Sequence, residues 1–361
     1  MFAHDFLLQE YVPLGPYTTL GIGGPARYFL RAGSREAVES GVSWAAERGL
    51  PLLVLGGGSN MLVADEGFPG VVLRAVVRGV RIHATKHAVD IVAGAGVTWN
   101  ALVSHTVAMN WAGLECLSGI PGLVGATPIQ NVGAYGQEVR DTITHVEALE
   151  MATGHTLVIP NAECGFDYRV SRFKLEDRGR YIILAVGFRL MPGGAPAVRN
   201  IELERLLGER RLARPSIAEV RDLVLEIRRR KSMLLDAGDP NARSAGSFFT
   251  NPVLTTEEFA RLETIIADTC GDEARIPRFP APDGRVKIPA AWLIEHSGFG
   301  RGHVHGNVGI SEKHTLALIN RGQATARELL KLACEIRDRV RDRFGVTLVP
   351  EPSFVGLSMD E

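Results

Sequence analysis

The stretch "VLGGGSNMLVAD" (residues 54–65) decides the fold of this chain. Three glycines follow an apolar run, which is how a dinucleotide-binding βαβ unit begins. Such a unit needs G-x-G-x-x-G opening a helix, with an acidic residue about 20 positions further on. Here Gly56, Gly57 and Gly58 lead through Ser59 and Asn60 into "MLVAD", which reads as a second strand. With no helix there is no helix N-terminus to receive a pyrophosphate. The Rossmann reading is therefore excluded, and the local unit is strand, glycine turn, strand.

Strand signals continue on the C-terminal side. Residues 71–97 alternate in short pieces ("VVLRAVV", "VRIHAT", "VDIVAGAGV"), and "THVEALEM", "TLVIP" and "YIILAVGFRL" add further strands. On the N-terminal side, 34–49 reads as a short helix with Ser34 as N-cap and Gly49 just past its end. "MPGGAPAVRN" (191–200) is the best linker candidate. Beyond it the spacing predicts helices over 216–231, 255–268, 290–297 and 323–344. The last has Leu329, Leu330, Ala333, Ile336, Val340 and Phe344 on one face and Gly345 as a stop. A strand in "VTLVPEPSFVG" closes the chain. The class is α+β, a strand-rich N-terminal half followed by a mixed C-terminal domain.

The 361 residues are more than one core usually fills, so two or three domains are expected. Forty basic and 41 acidic residues leave a net charge of −1, which gives no global field toward nucleic acid or a membrane surface. The basic run "RRRK" (228–231) reads as a solvated helix face. Cys116, Cys164, Cys270 and Cys334 are widely spaced, so neither a disulfide framework nor a zinc site is expected. His83 and His87 sit in an alternating segment, which does not place both rings on one helix face. "MFAHDFLLQEYVPLG" lacks the basic and apolar regions of a signal peptide, and no apolar run approaches membrane-spanning length. A cytoplasmic protein is expected.

Two stretches carry candidate chemistry. "GLECLSGIPGLVGATPIQNVGAYGQ" (113–137) has six glycines and no Lys or Arg. Glycines at that density permit positive φ, and consecutive N–H groups in such turns can form anion-binding nests. Tight turns between strands are the alternative. The number of glycines, with polar Gln130 and Asn131 beside them, favours a ligand held by backbone N–H groups and by Ser59, Asn60 and Thr127. In "GSFFTNP" (246–252) a hydroxyl stands beside two phenylalanines. Ser247 is either an ordinary turn residue or a polar group kept out of water for a purpose.

Seven motifs occur in a family's order: "TLGIGGPARYF" (19–29), "VLGGGSNMLVAD" (54–65), "LSGIPGLVGATPIQNVGAYGQE" (117–138), "DYRVSRFK" (167–174), "GSFFTNPV" (246–253), "KIPAAWLIEHSGF" (287–299) and "LVPEPSFVG" (348–356). Together they closely resemble the UDP-N-acetylenolpyruvoylglucosamine reductases, the MurB family of peptidoglycan synthesis, over residues 18–356. The resemblance implies an FAD-binding domain of the vanillyl-alcohol oxidase (PCMH) type with a C-terminal α+β substrate-binding domain. The limits expected are 1–192 for the FAD-binding region, with two subdomains dividing near 75, and 200–345 for the substrate domain. Residues 346–361 would return to the active site.

The activity implied is NADPH-dependent reduction of an enolpyruvyl ether on UDP-N-acetylglucosamine, through FAD. Three catalytic positions carry over: Arg169 as clamp on the developing enolate, Ser247 as proton donor to the α-carbon, and Glu351 as an assisting acid. The positions implied around FAD are Gly56, Gly57, Gly58, Ser59, Asn60, Gly122, Gly125, Thr127, Gln130, Asn131, Gly133 and Arg228. Tyr135, Tyr168, Lys231 and Asn251 match substrate-contacting positions. Two departures stand out: Asn200 occupies the place of a lid tyrosine, and Ser353 that of an arginine two residues after the catalytic glutamate. The partner implied is a UDP-sugar nucleotide, with no nucleic acid, no membrane insertion and no required oligomer. An FAD oxidase of the same fold, or a non-catalytic flavin-binding module, are the alternative readings.

Flavin oxidases of that superfamily often tether FAD through His or Cys, and "GGGSN" offers neither. FAD should therefore be non-covalent. Acid precipitation is expected to release the flavin into the supernatant. Flavin absorbance remaining with the washed polypeptide would contradict this.

Overall fold

The structure, a computed structural model, describes residues 7–271 and 273–360. The first six residues, which open the sequence segment weighed as a leader and the 1–192 region, lie outside the described residues. So do Asp272 of the 200–345 region and Glu361 of the C-terminal segment. The chain forms two compact units. One holds the described residues up to Val12, Ala26–Gly58 and Phe68–Leu234; the other holds Pro13–Pro25, Ser59–Gly67 and the described residues from Leu235 onward.

The first unit contains two larger sheets and the two-stranded pair of Gly133–Ala134 with Gln137–Glu138. The strands Leu7–Pro13, Pro25–Ala32, Phe68–Ala75 and Leu52–Leu55 lie in that spatial order, and the last three pair in parallel. Helix α1 (Arg35–Glu47) buries Ala37, Val38, Val42, Trp44 and Ala45 against this sheet's Leu30, Val71 and Leu73. Ser34 caps it by accepting from the Ala37 N–H at 3.1 Å, as the sequence predicts. The second sheet is antiparallel, in the order Thr156–Pro160, Ile143–Glu150, Tyr181–Pro192, Val89–Gly94, Val80–Ala84. Helix α2 (Trp99–Ala108) covers it with Trp99, Leu102 and Val103. Periodicity gave no sign of α2, whose composition is too apolar to show a polar face and whose Thr98 makes no side-chain cap.

Helices α3 (Ile201–Glu209) and α4 (Ile217–Arg230) also belong to the first unit, although composition assigns them to the second domain. The Pro/Gly-rich stretch before them is anchored, not a free linker. The fully buried Glu115 carboxylate accepts from the N–H groups of Gly113 (2.8 Å) and Ala197 (2.8 Å) and from Gln137 Nε2 (3.2 Å). Leu203, Leu206, Leu207, Val220, Val224 and Ile227 then pack with Cys116 in one cluster. The unit therefore ends at Leu234, after α4.

The second unit has one core, built from Phe248, Phe249, Phe259, Leu293, Leu329, Ile336 and Phe344 among others. It is covered by α5 (Thr256–Cys270), α6 (Ala290–Glu295) and α7 (Ala326–Phe344). Thr325 and Glu328 form a capping box on α7, and Gly345 closes it at φ +68°. The buried stripe of α7 contains Leu332, whereas Leu330, expected on it, is half-buried. The segment 59–67 belongs with this unit because Met61–Val63 pairs in parallel with Ser353–Val355. Asp65 adds to this by accepting from the N–H groups of Ala326 (2.7 Å) and Arg327 (3.1 Å) at the start of α7.

Replacing a helix cap typically costs about 0.5–2 kcal/mol. Asp65→Ala should therefore lower the unfolding free energy of the second unit by that amount, read as a lower urea midpoint at unchanged slope, and Asp65→Asn should recover part of it. An unchanged midpoint for Asp65→Ala would show that Thr325 alone secures the helix start.

Candidate active site

Gly56–Gly58 turn the chain after the strand Leu52–Leu55. A Cβ on Gly57 would lie 2.6 Å from Gly122 Cα, and one on Gly125 would lie 2.5 Å from Ala95 Cβ. Gly58 and Gly122 have φ of +61° and +114°. The glycines are thus needed where the chain meets itself, and not only where a ligand would meet the chain. The N–H groups of Val124, Gly125, Ala126 and Thr127 all donate within the fold, and Thr127 Oγ1 donates to Val124 O at 2.8 Å. These four N–H groups, and that of Gly119, which donates to Asn100 Oδ1, are therefore not part of the nest expected of the whole glycine stretch.

The Asp167–Val170 turn carries Tyr168 and Arg169. Its two ends exchange backbone hydrogen bonds, and Arg169 sits in the left-handed region at φ +58°. The guanidinium donates to Gly133 O (2.5 Å) and Asn131 O (3.4 Å), and lies 5.3 Å from the centre of the Tyr168 ring. Buried Asn131 fixes this turn: its Nδ2 donates to Glu138 Oε2 (2.9 Å) and Asp167 O (3.0 Å), and its Oδ1 accepts from Arg140 N (3.2 Å). Its side chain is thus occupied in placing Arg169. Gln130 is half-buried on the preceding turn.

Arg228 lies on the inner face of α4 at 9% exposure, and its Nη2 donates to Met233 O at 2.6 Å. Its Nε has no hydrogen-bond partner among the described residues. Burial lowers the Arg228 pKa from its ordinary value, and burial also pushes the neighbouring Tyr135 hydroxyl up to about 12. Lys231 is placed differently, in an ion pair with Glu202 of α3. Asn200 is the N-cap of α3, accepting from Glu202 N and Leu203 N at 3.1 Å each. At the lid-tyrosine position there is a helix cap.

In the second unit, residues 247–251 run between two other segments. Phe248 N donates to Leu316 O (2.7 Å) on one side, and Glu351 N donates to Phe248 O (2.8 Å) on the other. Ser247 and Glu351 are thus held on hydrogen-bonded neighbours. Asn60 joins them, its Nδ2 donating to Glu351 O (3.3 Å) and its O accepting from Ser353 N (3.0 Å). Ser59 O accepts from Thr19 Oγ1 at 3.3 Å. Asn251 Oδ1 accepts from Ala290 N (3.0 Å) at the start of α6. His314 Nε2 lies 3.5 Å from Ser247 Oγ.

Ser59, Asn60, Ser247, Asn251 and Glu351 therefore share one unit, and the remaining candidates share the other. Four contributors had escaped sequence reasoning: Glu115, Glu202, Asn100 and His314. Asn100 Oδ1 accepts from Gly119 N (2.8 Å) and from Arg221 Nη1 (3.3 Å), which ties the glycine loop to α2 and α4. The only sequence signal for any of them was that Glu115 stands inside the glycine-rich stretch.

A family model for the C-terminal domain of UDP-N-acetylenolpyruvoylglucosamine reductase matches residues 239–355, and one for an FAD binding domain matches 26–159. The UDP-N-acetylenolpyruvoylglucosamine reductase of Thermobifida fusca (strain YX) is 48% identical over 350 residues, covering 96% of this chain and 98% of the relative. The chain belongs to the UDP-N-acetylenolpyruvoylglucosamine reductase family. The Streptomyces avermitilis member is 48% identical over 96% of this chain and 94% of its own. The crystal structure of the Thermus caldophilus reductase superposes with a TM-score of 0.64 at 26% identity, covering 97% of this chain and 98% of that one. The α+β class, with an FAD binding domain, holds for this family member.

Gly57→Ala places a methyl group against Gly122 Cα, so the two turns must separate. The purified variant is expected to carry much less FAD per polypeptide than the parent, read from the ratio of flavin to protein absorbance. Parental flavin content in a folded Gly57→Ala protein would refute the role given to this contact.

Proposed function

We propose that this chain reduces UDP-N-acetylglucosamine enolpyruvate to UDP-N-acetylmuramate with NADPH, through non-covalent FAD, in peptidoglycan precursor synthesis. The observation that supports the reading, beyond family membership, is the backbone hydrogen bond from Glu351 N to Phe248 O, the neighbour of Ser247 in the chain. No helix among the described residues is long and apolar enough to cross a membrane. On this reading the enzyme acts in the cytoplasm on a nucleotide-linked sugar, and supports cell shape and division through wall growth.

The residues fit FAD. At Gly56 an added Cβ would meet only Ala126 Cβ, at 3.7 Å, which leaves the backbone open to a close approach, and the buried Arg228 guanidinium has a polar atom without a hydrogen-bond partner and makes no ion pair among the described residues. These residues would hold the cofactor, with Ser59, Asn60, Gly125, Thr127, Gln130, Asn131 and Gly133 shaping the loops. The chemistry FAD supplies when bound is hydride transfer from NADPH to the vinyl carbon of the substrate. Tyr135, Tyr168, Lys231 and Asn251 would orient the sugar nucleotide. The first unit would then be the FAD-binding region and the second the substrate domain, with 346–361 bringing Glu351 to the reaction.

Hydride addition β to a carboxylate leaves negative charge on that carboxylate. The barrier falls only if a preorganised donor awaits it. Arg169 supplies a permanent charge in a fork suited to two oxygens, and its carbonyl contacts at Asn131 and Gly133 fix its direction. Glu351 is the assisting acid of this reading. Ser247 delivers the proton to the α-carbon. Phe248 and Phe249, both 1% exposed, back this serine with a dry wall.

Flavin reduction by NADPH needs no proton at the substrate carbon. Ser247→Ala should leave that half-reaction nearly unchanged while slowing flavin reoxidation by the enolpyruvyl substrate about 10²–10⁴-fold, the usual range for a lost general acid. Stopped-flow flavin absorbance reads the two halves separately. Equal slowing of both would mean that Ser247 serves only the turn.

A further inference from the structure

A serine hydroxyl is a poor acid, and the arrangement around Ser247 shows what could help it. The hydroxyl has one hydrogen and two lone pairs. When the hydrogen points at the substrate carbon, a lone pair is open to a donor, and the oxygen left behind after transfer needs a proton from elsewhere. The imidazole of His314 meets both needs, with Nε2 at 3.5 Å from Ser247 Oγ. That separation is at the long end for a hydrogen bond, as is usual for catalytic contacts before substrate binds. Shortening it requires side-chain adjustment and no rebuilding of the backbone. The flanking positions are fixed, since Phe248 N donates to Leu316 O at 2.7 Å and Thr315 Oγ1 bonds to Glu295. Both Ser247 and His314 are half-buried, so water retains access to the ring.

We propose that His314 is the positioning residue for Ser247. Its Nε2–H donates to Ser247 Oγ, which directs the hydroxyl hydrogen toward the reacting carbon and stabilises the charge that forms on oxygen. This inference rests on the reading of Ser247 as the proton donor. In the step itself the Ser247 O–H bond breaks as the C–H bond forms at the α-carbon. The electron pair left on Oγ then takes the proton from Nε2, and a proton from solvent water replaces the one the ring has lost. No redox partner beyond those of the reductase reaction is needed.

The test uses the FAD-loaded protein in separate half-reactions. His314→Ala should leave flavin reduction by NADPH within about twofold of the parent and slow reoxidation by the enolpyruvyl substrate about 10–100-fold, the size expected for one hydrogen bond to a developing charge. His314→Gln, whose amide nitrogen can donate in place of Nε2, should recover most of that loss. The double variant Ser247→Ala/His314→Ala should be no slower than Ser247→Ala alone, because groups that act as a unit are not additive. His314→Leu replaces His314→Ala if the latter loses its flavin or its cooperative thermal unfolding. Parental reoxidation in His314→Ala, losses that multiply in the double variant, or no recovery with Gln would each overturn the proposal. If Ser247→Ala reoxidises at the parental rate while His314→Ala does not, the serine reading itself has failed, and the histidine then acts on substrate directly.

Discussion

The 2.6 Å that would separate a Cβ on residue 57 from Gly122 Cα is the constraint on which the first unit's site depends. Two turns from distant parts of the chain approach until only hydrogen fits between them. Gly125 repeats the constraint against Ala95, and Asn100 secures the same loop by accepting from Gly119 N–H. The glycine-rich stretch therefore does two things with one composition: it closes the protein on itself, and it leaves backbone exposed where it turns. Composition alone suggests only the second.

Buried charge separates the polar residues of this unit into two kinds. Glu115 is fully buried, but three N–H donors surround its carboxylate, so its desolvation is offset within the protein. It fastens the 193–200 segment and, through it, the start of α3. Arg228 is buried with less compensation. Met233 O accepts from it and the Tyr135 hydroxyl hydrogen-bonds with it, but that hydroxyl, its pKa raised to about 12 by burial, supplies no carboxylate charge. A group of that kind is costly unless an anion joins it.

Much of the fold was legible in the sequence, and the failures have physical causes. Helices α1 and α7 announced themselves by caps and by a one-sided apolar face. Helix α2 did not, because its exposed face includes Ala101 and Ala108 and its buried face includes Thr106, so polarity does not divide its two sides. The stretch 191–200 looks like a linker because Pro and Gly are common in linkers; its anchoring depends on Glu115, 82 residues from Ala197, and no local pattern carries that. Motif resemblance is what proposes Arg169, Ser247 and Glu351. The approach of His314 to Ser247 has no such signal, since it spans 67 residues and follows from the pairing of Phe248 with Leu316. Lys231 shows the reverse limit: the motif identifies the residue but not its ion pair with Glu202.

The two cations of "IRRRK" named as ligand contacts are thus in unlike electrostatic states. An anion arriving at Arg228 meets a guanidinium already stripped of water and without a carboxylate, so most of the desolvation cost was met when the protein folded. An anion arriving at Lys231 must share the ammonium with Glu202 or displace it, and gains less by doing so. Preorganisation favours Arg228 as the residue that fixes a phosphate in place. Lys231, on a flexible stem at the end of α4, is better suited to a contact that can form and break as one nucleotide leaves and another enters. The difference in burial between two residues three positions apart gives a single helix turn both kinds of cation.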